Sequence, residues 1–302
     1  MIAVNIHQGL ANQMFHYAFG KGLAAKGLQV CFDQSNYKPE LPHEFVRLQD
    51  AFPHIEIKQM PKGHFRLVYP SAEEKKRIHD CRLAFFFPKL LRKLGFEHYI
   101  FEKRYAYCEG MEQFATGNCI YRGHWQSEKY FKHCESDIRK QFSFLPFDEP
   151  GNIALAEQMA NENSVSIHLR KSPDYIQSKV LGNGICDAEY YQNAINCIHQ
   201  HISHPVFYVF TDNHQWVAEN MDFLKEYTIV NWNPVSGSRS FRDMQLMSCC
   251  RHNIIANSTY SWWGAWLNPN PRKIVVAPKT YINPINTFFA EQDILPDEWI
   301  KI

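Results

Sequence analysis

Residues 242–268 read RDMQLMSCCRHNIIANSTYSWWGAWLN, and in this one stretch a helix, a buried strand, a polar turn and a second helix lie end to end. Met244, Leu246 and Met247 fall at helical spacing, residues 253–256 make a short apolar run of strand length, and Asn257, Ser258, Thr259, Tyr260 and Ser261 bring hydrogen-bonding groups to the point where the second helix begins. A helix entered in this way presents backbone N–H groups without intrahelical partners at the positive end of its dipole. Such an end suits an anion. The stretch therefore has the layout of a ligand site.

The same alternation continues on either side of it. Residues 165–169, 205–211, 227–231, 253–256 and 273–277 read as short buried strands, separated by helical stretches near 188–201, 215–224, 242–249 and 261–267. Strands alternating with helices predict a parallel sheet wrapped by helices. The beginning of the chain has its own strand, loop and helix at 2–6, 7–12 and 13–26, with Met14, Phe15, Ala18, Gly22 and Leu23 on one helical face. Two lobes follow, 1–150 and 151–302, joined near the proline- and acid-rich segment LPFDEPGN at 145–152.

Composition narrows the functional classes. A chain of 302 residues can bury a large core, and its net charge of +1 argues against general nucleic-acid binding, for which no sequence pattern is present either. Nine cysteines without a Cys-x-x-Cys pair predict free thiols in a reducing compartment, hence a cytoplasmic protein. No basic leader and no run of about 18 apolar residues occurs, so no membrane-spanning segment is expected.

The candidate site residues gather at predicted strand ends. His168 and Arg170 end the strand VSIHL, Asp212 follows YVFT, and Ser258 to Ser261 follow IIAN, all at carboxyl ends where open α/β sheets bind ligands. Arg170 carries forked donors that stay charged, as a diphosphate requires; it could equally bridge two loops. Asp212 could accept the two N–H donors on the Watson–Crick edge of guanine, or cap the helix that follows. Ser258, Thr259 and Ser261 suit both phosphate binding and N-capping. Fifteen histidines include no H-x-x-x-H pair, and no D-x-D occurs, so neither metal nor cofactor is expected.

Three segments resemble the motifs of the α-1,2-fucosyltransferases, glycosyltransferase family 11, in the family's order: GLANQMFHYA at 9–18, HLRKSPDY at 168–175, and the opening stretch at 242–268. YRGHWQSEKYF at 121–131, YVFTDNHQW at 208–216 and LPDEWIKI at 295–302 extend the likeness over most of the chain outside 39–120. The resemblance implies an α/β, GT-B-like fold of two Rossmann-like lobes facing a cleft, with the acceptor on the first lobe and the GDP-sugar on the second. It implies inverting transfer of L-fucose from GDP-β-L-fucose to the 2-hydroxyl of a terminal galactose on a glycan such as a lipopolysaccharide O-antigen. In that family the arginine at the place of Arg170 meets the diphosphate. Gly9, Leu10, Ala11, Asn12 and Gln13 would lie over the diphosphate and sugar, with Asn12 at the leaving-group or acceptor oxygens, while His168 and Asp212 would lie at the base. Another GDP-sugar, or glycan binding without catalysis, remains open on the same fold.

Three departures bear on this. The usual GGLGNQMFQYA has Gln8, Ala11 and His16 in place of two glycines and a glutamine, and Ala11 restricts positive φ where glycine would not. The usual H-x-R-R-G-D-Y has Lys171 for its second arginine and one extra residue before Asp174, which could take the acceptor proton or pair with Arg170 or Lys171. Region 58–104 carries twelve Lys or Arg against five Asp or Glu, with Phe85, Phe86, Phe87, Leu90, Leu91 and Leu94 among them. It suits either peripheral contact with the inner membrane or an amphipathic helix packed on the first lobe. Trp262, Trp263 and Trp266 read as core; Trp125 could face an acceptor galactose or pack.

Overall fold

The computed structural model describes residues 1–34, 46–60, 98–102, 106–115, 119–177, 185–282 and 293–302. The basic and aromatic side chains of 61–97 lie outside them, and with them the membrane-contact expectation for 58–104. Two parallel sheets form the frame. The first has order β2-β1-β4-β3, from strands β1 Ile2–Asn5, β2 Val30–Asp33, β3 His98–Phe101 and β4 Cys119–Arg122. The second has order β10-β9-β8-β5-β6-β7, from β5 Ser164–Leu169, β6 Val206–Thr211, β7 Thr228–Val230, β8 His252–Ile254, β9 Val275–Ala277 and β10 Ile300–Lys301. Every pairing is parallel.

Each predicted strand of the second sheet is present, with its ends shifted by at most two residues. Central strand β5 is buried throughout. Its residues alternate: Val165, Ile167 and Leu169 join Phe207 and Val209 in a core with the helix Ala188–His201, while Tyr208, Phe210 and Val230 face the opposite way. That opposite core includes Met244, Trp262 and Trp263 and runs without a break into Phe15, Tyr17 and Val4 of the first sheet's layer. The two layers thus share one hydrophobic core. Trp263 is its hinge point: its ring centroid is 4.8 Å from that of Phe15, and its indole N–H donates to the Ala11 carbonyl at 2.9 Å. Trp262, Trp263 and Trp266 are all buried, as core residues.

The helix expected at 13–26 starts earlier, as Leu10–Ala25, with Gly9 as its N-cap. Leu10 and Ala11 are buried, so the first turn belongs to the core and the expected loop 7–12 shrinks to 6–9. Gly22 is needed on this helix because a Cβ there would lie 2.2 Å from the Tyr130 carbonyl oxygen. The segment 145–149 is pinned as well: buried Arg242 donates to the Leu145 and Pro146 carbonyls at 2.9 and 3.0 Å and pairs with Asp148 and Glu149 at 2.7 and 3.2 Å. Among the described residues no helix is long and apolar enough to cross a membrane, and the eight described cysteines are free thiols.

Candidate active site

Arg170 and Asp212 each stand one residue beyond the ends of neighbouring strands β5 and β6, where Leu169 pairs with Thr211. That register brings guanidinium and carboxylate together at 2.8 Å, Arg170 Nη1 to Asp212 Oδ2. Asp212 Oδ1 also accepts from the Lys171 backbone N–H at 2.6 Å. Asp212 is therefore no helix cap; that task belongs to Asn213, whose side chain accepts from Trp216 N at 3.0 Å and donates to the Lys171 carbonyl at 2.9 Å. Arg170 does bridge two loops, and its side chain is still 38 % exposed.

His168, on the same side of β5 by alternation, is buried with its ring 5.7 Å from that of Tyr260. Burial pushes its pKa down to about 4 against the raising effect of Asp212, with Arg170 lowering it further, so the ring is neutral at pH 7. Its Nδ1 is buried without a hydrogen-bond partner. A buried polar atom in that condition calls for a ligand or solvent. Lys171 turns to the other side: its ammonium lies 4.4 Å over the Trp216 ring, and burial lowers its pKa. Lys171 and Trp216 line a cavity of about 380 Å³ together with Arg170, Asp187 and Asn220.

The closing stretch is tied directly to the central one, since Tyr175 donates to the Asn257 carbonyl at 2.7 Å. Asn257 is buried and spends its amide on the Tyr281 carbonyl at 3.1 Å and the Cys186 thiol at 3.5 Å, so its side chain builds the turn and does not reach the cleft. Ser258 caps the helix Thr259–Leu267 by accepting from Tyr260 N at 3.4 Å. Ser261 is buried and its hydroxyl returns to the Ala256 and Ser258 carbonyls. Tyr260 donates to the Ser240 carbonyl at 2.5 Å and accepts from Met244 N at 2.9 Å. The capping alternative is realised for Ser258 alone, and Ser261 spends its hydroxyl on carbonyls, so an anion here would meet the helix's backbone N–H groups and Thr259. Of the central loop, Asp174 lies in the short helix Pro173–Ile176, and its side chain is outside what is described.

At the opening motif the positive φ falls on Gln8, at 66°, and not on Ala11, which is helical. The strain anticipated at Ala11 is thus displaced to the position where the family has glycine. Asn12 is held on both sides: it donates to Gln8 Oε1 at 3.0 Å and accepts from Gln126 Nε2 at 2.9 Å. Buried Gln13 supports it by donating to the Gln8 and Val46 carbonyls at 2.8 and 3.0 Å. Trp125 does not face an acceptor: it is fully buried, with its ring stacked on Phe19 at 4.1 Å. Its positive φ of 53° is supported by Glu102, which accepts from the His124 and Trp125 backbone N–H groups at 2.6 and 2.9 Å and whose pKa burial raises to about 7.

Sequence inspection missed several of these groups. Gln126 stands beside a residue that was singled out, and adjacency to Trp125 was its only signal. His7, His16 and His124 converge from distant positions, with ring centroids 4.4, 5.9 and 6.4 Å apart. Burial holds the pKa of His7 at about 4, with Arg122 adding to the effect, and that of His124 at about 3. The trio is a neutral stack. Among the described residues, no group of three His, Cys, Asp or Glu side chains is placed to hold a metal ion.

Residues 1–302, the entire chain, match the model of glycosyl transferase family 11. The chain belongs to that family. An α-1,2-colitosyltransferase of Escherichia coli is 28 % identical over 310 aligned positions, which cover 100 % of this chain and 99 % of the relative. The O-antigen biosynthesis glycosyltransferase WbnK of E. coli is 38 % identical over 144 residues, 47 % of this chain and 45 % of its own. The galactoside 2-α-L-fucosyltransferase Sec1 of Mus musculus is 25 % identical over 209 residues, 67 % of this chain and 54 % of its own. Among solved structures, the fucosyltransferase NodZ from Bradyrhizobium superposes with a TM-score of 0.51 at 13 % identity, covering 89 % of this chain and 92 % of that one. That likeness establishes the fold alone. The family-11 chain is accordingly an α/β, GT-B-like glycosyltransferase.

Proposed function

We propose that this family-11 glycosyltransferase moves L-fucose from GDP-β-L-fucose to the 2-hydroxyl of a terminal galactose, inverting the anomeric centre to an α linkage. The observation that carries the proposal is the Arg170–Asp212 pair at 2.8 Å on the carboxyl edge of the second sheet, with the start of the helix Thr259–Leu267 on the same edge. Arg170 meets the charge that develops on the departing diphosphate, and the helix start shares that load through Thr259 and backbone N–H groups. Asp212 keeps a second lone pair on each oxygen after pairing, enough to accept from guanine N–H groups beside neutral His168. Asn12, oriented by Gln8 and Gln126, addresses the leaving or attacking oxygen, and Asp174 is the central-motif carboxylate assigned to the acceptor proton. In this scheme 151–302 carries the donor and 1–150 the acceptor.

A second donor has one observation in its favour, because the relative matched over its full length is named for colitosyl transfer. The test is GDP release and product formation with GDP-fucose and lactose. Fucose α-linked to galactose O2, identified by inter-ring NMR contacts, is the expected product. Turnover only with another GDP-sugar would move the assignment to that donor, and any other linkage would overturn the proposal.

A further inference from the structure

Of the seven tryptophans in the chain, Trp232 alone is exposed, at 47 %. It is nevertheless fixed. Its indole N–H donates to Asn152 Oδ1 at 2.8 Å, and Asn152, itself fully buried, is held in turn by Asn233 Oδ1 at 2.9 Å. The ring rests on the main chain at Gly151, where an added Cβ would sit 3.5 Å from Nε1 and 3.8 Å from Cε2. An aromatic ring that is anchored at its edge, backed on one side and open to solvent elsewhere is a preorganised stacking surface.

Its position decides what stacks there. Phe210 pairs with Val230 across β6 and β7, and Asp212 and Trp232 each follow that pair by two residues, just beyond the ends of these neighbouring strands. Tyr208, Phe210 and Val230 all face the core shared with the first sheet, and Asp212 and Trp232 follow them along the chain at the same two-residue spacing. The strand order β8-β5-β6-β7 then lays out the edge: helix start, Arg170, Asp212, Trp232. Two strand spacings separate β5 from β7, about 10 Å. A diphosphate at Arg170 would send its transferred sugar toward the first sheet and its nucleoside the other way, along β6 and β7.

We infer that Trp232 is the stacking platform for the purine base of the donor, the base lying on its face with an edge toward Asp212. This rests on the donor site proposed above. Loss of one base–aromatic stack weakens binding roughly 10-fold or more. Calorimetric titration with GDP, and with inorganic pyrophosphate as the probe without a base, should show GDP affinity falling about 10-fold in Trp232→Ala while pyrophosphate affinity and the acceptor KM stay unchanged. Trp232→Phe keeps a ring without the indole N–H, so it should retain most of the GDP affinity, and the quenching of tryptophan emission by GDP should largely disappear. Unchanged GDP affinity in Trp232→Ala, an equal loss for both ligands, or a rise confined to the acceptor KM would each overturn the inference. Wild-type protein that binds neither GDP nor pyrophosphate would instead defeat the donor-site proposal itself.

Discussion

Replacing Asp212 by Asn separates the two things its carboxylate does. The Asn carbonyl can still accept from the Lys171 backbone N–H, now bonded at 2.6 Å, so the loop retains its anchor. What is lost is the charge facing Arg170. At 2.8 Å the Coulomb attraction is about 1.5 kcal/mol in water and about 6 kcal/mol at an effective dielectric of about 20. With 38 % of the Arg170 side chain and 12 % of the Asp212 side chain exposed, solvent screening and side-chain entropy bring the contribution to stability down to about 1 kcal/mol or less. Melting should therefore shift by only about 1–3 °C. Catalysis should respond far more, because a guanidinium released from its carboxylate no longer waits where charge develops. A loss of roughly 10- to 100-fold in kcat/KM is expected for Asp212→Asn, and roughly 100-fold or more for Arg170→Ala. Arg170→Lys should rescue poorly, since an ammonium cannot reproduce the fork. The discriminating assay is the double-mutant cycle by GDP release under kcat/KM conditions. If Asp212 acts in part through Arg170, Asp212→Asn should cost less on the Arg170→Ala background than in wild type, leaving only its contribution to the guanine edge, whereas fully independent roles would multiply. An additive double variant would refute the positioning argument, and an Arg170→Ala enzyme within about three-fold of wild type would refute the diphosphate role.

Three further outcomes follow from the same geometry. Ala11→Gly should cost about 1 kcal/mol by chemical denaturation, because Ala11 is buried in a helix. Gln8→Gly should cost nothing measurable, since relief of its positive φ offsets the lost bond to Asn12; the reverse order would show that the strain sits at Ala11. For His7 the folded pKa of about 4 lies below the ordinary 6.5, so the unfolded chain binds the extra proton between these values and stability falls as pH drops through that window. His7→Gln removes that loss, which amounts to up to about 3 kcal/mol, so the stability gap between wild type and variant should change across pH 6.5 to 4 and be flat above; a parallel pH profile would contradict the neutral stack. Transfer should survive excess EDTA and gain little from Mn²⁺ or Mg²⁺, and complete inhibition reversed by Mn²⁺ would contradict a diphosphate met by Arg170 and a helix start alone.

The second sheet was legible because its strands are short apolar runs between helices, and period alone identifies both. Side-by-side placement of Arg170 and Asp212 followed from strand ends, but their pairing with each other needed the β5–β6 register, which no local pattern carries. The start of the first helix was misplaced for a definite reason: Gly9 caps it without a side chain, and glycine followed by asparagine reads as a turn until the burial of Leu10 and Ala11 is known. Side-chain direction was the least legible property. Ser261 and Asn257 have ligand-like chemistry, yet both turn inward to satisfy buried carbonyls, Ser261 those of Ala256 and Ser258 and Asn257 that of Tyr281. Trp125 and Trp232 show the same limit in opposite senses, one a sugar-facing candidate buried against Phe19, the other unremarked and exposed.

The opening and closing motifs, some 250 positions apart in sequence, act as one unit because Trp263 joins them. Ala11 lies in the first turn of one helix and Trp263 one turn into the other, so their hydrogen bond and the packing of Phe15 against Trp262 and Trp263 set how the two helix starts stand to each other. Neither helix carries an acidic residue in its first turn. Two positive helix ends are therefore left without an acidic partner in their first turns, one beside Asn12 and the other on the sheet edge that holds Arg170. Close-packed aromatic cores deform little, so the separation between Asn12 and Arg170 is set by the Phe15, Trp262 and Trp263 contacts and not by a free linker. Arg242 fixes the segment that leads from the first sheet to the second by donating to the Leu145 and Pro146 carbonyls. Under the proposed function, a diphosphate is met by one guanidinium and helix dipoles, and such donors are effective only when fixed in advance. The large aromatic core between the sheets supplies that fixation.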